Sequence, residues 1–81
     1  MDILAPWVAA VIAIFPNAQG MTKATAFNTY ETRYDCEMGA AMAVGLAIDQ
    51  GGLAMYRCVE RGERPAREVA LEAFDLMAAG E

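Results

Sequence analysis

YDCEMGAAMAVGLAIDQGGLAMYRCV, residues 34–59, contains both cysteines of the chain, Cys36 and Cys58, and a double glycine between two apolar runs. Its first half reads as a helix. Cys36, Ala40, Ala43 and Ala47 recur at helical spacing on one face, with Val44 beside them. Gln50-Gly51-Gly52 stops it, because glycine tolerates the backbone turn that ends a helix. Leu53 to Val59 then reads as a returning strand, with Ala54, Tyr56 and Cys58 on one side and Leu53, Met55, Arg57 and Val59 on the other.

The two cysteines test that reading by arithmetic. From Cys36 to its end the helix rises roughly 20 Å, at about 1.5 Å per residue. A strand returning to Cys58 covers roughly 20 Å at about 3.3 Å per residue. Both thiols then reach the same level and point into the same interface, which predicts a disulfide. Closing that loop is worth about 3.4 kcal/mol on chain-entropy grounds. Two separate buried thiols are the competing reading. Metal binding would need further ligands, and the chain has no histidine and no third cysteine. No C-x-x-C spacing is present for redox exchange.

Upstream, Asn28 is the expected cap of the helix, with Glu31 three positions on completing a capping box. Within the helix Gly39 and Gly45 each cost roughly 1 kcal/mol against alanine, so a close approach to a sheet or a second helix is expected to offset them. Met21 to Phe27 is a candidate strand, with Met21, Lys23, Thr25 and Phe27 on one face and Thr22, Ala24 and Ala26 on the other. It pairs as a hairpin with the apolar run before it, across the turn PNAQG, residues 16–20.

That apolar run, Ile3 to Phe15, carries no charge. Val8, Val11, Ile12, Ile14 and Phe15 favour a strand, while Trp7, Val11 and Ile14 at helical spacing leave a packed helix open. The run is too short to span a bilayer as a helix. It has the length of an export signal with a cleavage point near Ala18, but Asp2 stands where such a signal carries Lys or Arg. The missing basic flank favours the cytoplasm slightly; a Cys36–Cys58 bridge would instead place the protein outside a reducing compartment. A last helix is predicted from Pro65 to Ala78, with Val69, Ala73, Leu76 and Met77 forming its apolar stripe near Ala66, Ala70 and Phe74. Arg64 with Glu68 gives it partial charge support.

The expected fold is therefore α+β over residues 1–81 as one small domain: a hairpin, a long helix, a returning third strand and a C-terminal helix. The alternative is a small all-α bundle. The 81-residue length limits the core, since such a chain buries only about 60–65% of its extended surface. Yet 57% of the residues are hydrophobic and 21% charged. That excess predicts apolar surface or a buried contact with another subunit.

The formal net charge is −5. It argues against phosphate-backbone binding and suits a basic protein surface. Without histidine the chain lacks the usual general base, and no nucleophile, phosphate-loop or dinucleotide motif is present. Glu31 and Asp35 could hold a cation one turn apart, but carboxylates at a helix start need no such explanation. No enzyme activity, metal or cofactor is expected. Tyr30 and Tyr34, predicted on one helical turn, form a candidate partner-contacting pair. Arg57, Arg61, Arg64 and Arg67 form a candidate positive band, diluted by Glu60, Glu63 and Glu68.

Three functions follow in order of preference. The first is a small acidic interaction protein that docks on a protein partner and modulates or inhibits it. The second is a homo-oligomeric structural or assembly subunit. The third is a ligand or nucleic-acid binding module using the arginine band.

Overall fold

The computed structural model describes residues 5–80 and has the expected α+β architecture. Ile3, Leu4 and the Asp2 flank of the apolar run lie outside the described residues. The remainder of that run forms strand β1, Trp7–Asn17, rather than a helix. Strand β2 spans Gly20–Tyr30, helix α1 Arg33–Asp49, strand β3 Leu53–Glu60 and helix α2 Ala66–Ala78.

The sheet is antiparallel throughout, in the order β2-β1-β3. β1 is central, and its two faces serve different helices. Val8, Ala10 and Ile12 pack against Val69, Ala70, Ala73 and Met77 of α2. Ala9, with Trp7 and Val11, packs against Cys36 and Ala40 of α1. A strand covered on both faces has no polar face to show, so its sequence reads as a continuous apolar run. The result is three layers: helix, sheet, helix.

β2 is longer than the Met21–Phe27 strand expected. Its register runs from Asn17↔Gly20 at the turn to Trp7↔Tyr30 at the far end. Asn28 is therefore a strand residue facing Ala9, not a helix cap, and the Asn28–Glu31 capping box does not form. Thr32 caps α1 instead, its side-chain oxygen accepting from the Asp35 amide at 3.0 Å. The ladder gained against β1 outweighs the local capping signal at Asn28.

The helix ends where expected. Gly51 has φ +88, and the amides of Gly51 and Gly52 donate to the carbonyls of Ile48 and Ala47, each at 2.9 Å. Gly52 then passes so close to the hairpin that a Cβ there would lie 2.5 Å from a Phe15 ring carbon and 2.8 Å from the Ile14 carbonyl oxygen. At the other helix, Pro65 is the cap and α2 begins one residue later than expected, at Ala66.

Candidate functional site

Cys36 and Cys58 are bridged, with their Cα atoms 6.2 Å apart. Cys36 is fully buried on the inner face of α1, and Cys58 lies on the α1 side of β3. The bridge ties the helix to an edge strand, and polar contacts extend the tie. The Tyr56 hydroxyl of β3 donates to Glu37 of α1 at 2.5 Å. Arg33 meets Glu37 at 3.6 Å and lies over the Trp7 ring, 5.8 Å from its centre. The hydrogen bond to the Glu37 carboxylate, reinforced by desolvation and the nearby negative charge, holds the Tyr56 phenol above its ordinary pKa. Sequence analysis missed this cluster; the only signal for it was that Tyr56 shares a strand face with Cys58.

The tyrosine pair does not form. Tyr30 ends β2, half-buried against α1, whereas Tyr34 stands on the outer side of the helix. They were expected on one helical turn, but the strand continues through Tyr30 and the helix starts at Arg33. Tyr30 has a packing role: a Cβ at Gly39 would fall onto its ring and hydroxyl. Gly39 thus permits the close approach of helix and sheet. Gly45 does not, since a Cβ there would meet open space.

The candidate arginines fall on successive elements: Arg57 on β3, Arg61 and Arg64 in the loop that follows, and Arg67 on α2. Arg64 is held by Glu72 in a two-pronged ion pair at 2.8 and 3.1 Å, in place of the Glu68 contact expected. That pairing raises the pKa of Arg64 and lowers that of Glu72. Arg57 and Arg61 are half-buried, and Nη1 of Arg57 and Nε of Arg61 have no hydrogen-bond partner among the described residues. Arg57 lies beside Met55, Met77 and Gly80, while the Arg61 amide donates to the Pro6 carbonyl at 2.8 Å. Glu31 precedes α1 rather than sitting one helical turn from Asp35. Among the described residues no three metal-binding side chains converge, and no helix is long and apolar enough to cross a membrane.

The outward side of α1 is largely apolar. Tyr34, Met38, Met42 and Leu46 follow one another at four-residue spacing along α1 and are 70, 47, 67 and 61% exposed. Ala41 and Gly45 lie between them on the same outer side, with Asp35 and Asp49 near the two ends. Between α1 and β2 runs an open apolar groove of about 240 Å³, bordered by Val11, Ala24, Ala26, Ala43 and Leu46. No protein-family model, curated protein or solved structure matches this chain.

Proposed function

We propose that the protein is a non-enzymatic interaction module that docks on a protein partner through the outer face of α1 and so modulates or blocks it. The observation that carries this reading is the exposed stripe Tyr34, Met38, Met42 and Leu46 on a helix whose inner face is already occupied by the sheet. A helix apolar on all sides is ordinarily covered on all sides. Methionine and tyrosine supply adaptable and amphipathic contact area, as binding surfaces do. Gly45 lets a partner approach the helix backbone. Asp35 and Asp49 mark the rim, so the fitting partner has an apolar groove edged by lysine or arginine.

Tyr34 is the anchor in this reading. Tyr30 packs against α1 and Arg64 is paired with Glu72, while Arg57 and Arg61 are half-buried; of the four band arginines only Arg67 is exposed, which leaves the ligand or nucleic-acid reading little free positive charge. The Cys36–Cys58 bridge favours an oxidising compartment as the place to look for the partner.

Affinity isolation of the tagged protein from its host tests the proposal. Met42→Asp is expected to lose the co-purifying partner while keeping the wild-type Tm and the disulfide. A partner retained by Met42→Asp, or none recovered with the wild-type chain, contradicts docking through this face.

A further inference from the structure

We infer that the outer edge of β2 is a pairing site for β2 of a second copy, joining two three-stranded sheets into one antiparallel sheet of six. This inference is independent of docking through α1, because it uses the in-plane edge of the sheet and none of the outer α1 residues.

β2 is an edge strand of eleven residues, and every one of them except Tyr30 is exposed. Among the described residues its outer backbone groups have no neighbouring strand. Proteins blunt such edges with charge, proline or short length. β2 has no proline and one charge, Lys23. The other edge is better blunted: β3 has eight residues, carries Arg57 and Glu60, and is tied to α1 by the disulfide and by the Tyr56–Glu37 hydrogen bond.

Charge distribution selects a second copy as the occupant. The chain is acidic, yet between Ile3 and Tyr30 Lys23 is its only charged residue, and every acidic residue except Asp2 lies from Glu31 onward. Two copies with a formal net charge of −5 repel least, and approach most readily, where neither carries a carboxylate.

The strand is also self-complementary about its midpoint. An antiparallel two-fold at Thr25 places Ala24 opposite Ala26, Lys23 opposite Phe27 and Met21 opposite Thr29 of the other copy, each pair on one sheet face. The aliphatic stem of Lys23 then covers the exposed Phe27 ring. The two Lys23 residues stand about 14 Å apart along the strands, at about 3.4 Å per residue. That exceeds the screening length of about 8 Å at physiological salt.

Sedimentation equilibrium of the full oxidised chain over a wide concentration range, with isotope-filtered NOE spectra of a mixed labelled and unlabelled sample, tests the inference. A mass that doubles with concentration, with interchain contacts between β2 α-protons near Thr25, is the expected result. Thr25→Lys, which sets two lysines face to face, is expected to shift the equilibrium to monomer, and Met42→Asp to leave it unchanged. A monomer at every concentration overturns the inference. So does a dimer whose interchain contacts fall on Tyr34, Met38 and Met42, which would assign self-association to α1.

Discussion

The two helices cover opposite faces of one sheet, yet only one of them looks like a surface helix. α2 buries Val69, Ala70, Ala73 and Met77 and turns Arg67, Glu68, Glu72 and Asp75 outward. α1 buries Cys36, Ala40 and Ala47 and turns Tyr34, Met38, Met42 and Leu46 outward. The fold explains most of α2, where Leu71 and Leu76 are the large apolar residues left exposed beside those charges. It explains the inner face of α1 and leaves the outer face uncovered among the described residues. Apolar side chains kept in water contribute little to folding, and the docking proposed for this face would give them a cover.

The inner face of α1 should therefore resist change and its outer face accept it. The largest effect is expected from the staple. Replacing Cys36 and Cys58 together by serine should lower the unfolding free energy by about 3 kcal/mol, more if the buried Cys36 position leaves its new hydroxyl unpaired. Urea denaturation of the two proteins checks this.

The glycines sharpen the contrast. Gly39→Ala drives Tyr30 off the helix and should cost on the order of 1–2 kcal/mol as overpacking. The penalty should vanish in a Tyr30→Ala background. Gly45→Ala meets open space and should gain roughly 1 kcal/mol from helix propensity. A Gly45→Ala protein less stable than wild type would mean that the outer side of α1 is packed after all.

The smallest expected effect belongs to α2. Glu72 has its pKa lowered on folding by Arg64, so its contribution is present above the ordinary glutamate value of 4.5 and is lost as pH falls through the lower folded value. Glu72→Gln should remove that small acid-side loss without altering stability relative to wild type at the lowest pH. Because the pair is well exposed, the difference should also shrink in high salt.

Much of this was legible in the sequence for reasons the structure makes plain. The Gly51-Gly52 stop and the matching reach of helix and strand fixed the level of Cys36 against Cys58, because both lengths follow from backbone geometry alone. β1 was harder. Its burial on two faces removes the alternation by which strands are recognised, so a helix remained open over Trp7 to Ile14. The β2–α1 boundary was misplaced because two capping signals compete, Asn28 with Glu31 and Thr32 with Asp35. Only the hairpin register, which carries the strand to Tyr30, chooses between them. With the boundary went the Tyr30–Tyr34 pair. The Arg64–Glu72 contact escaped for a similar reason: Arg64 precedes α2 and reaches it from the loop, outside any helical spacing rule.

The outer face of α1 was visible as composition, an excess of alanine and methionine, but not as a surface. The spacing of Cys36, Ala40, Ala43 and Ala47 already marked the side that meets the sheet; that the opposite side stays uncovered required the fold.

The most direct test places a photo-crosslinking residue at position 42 on α1 and, separately, at the exposed position 71 on α2, in the protein's own host. A discrete adduct with one partner protein at position 42, and none at position 71, is the expected result. Equal labelling at both positions, or no adduct at position 42, would contradict docking through α1.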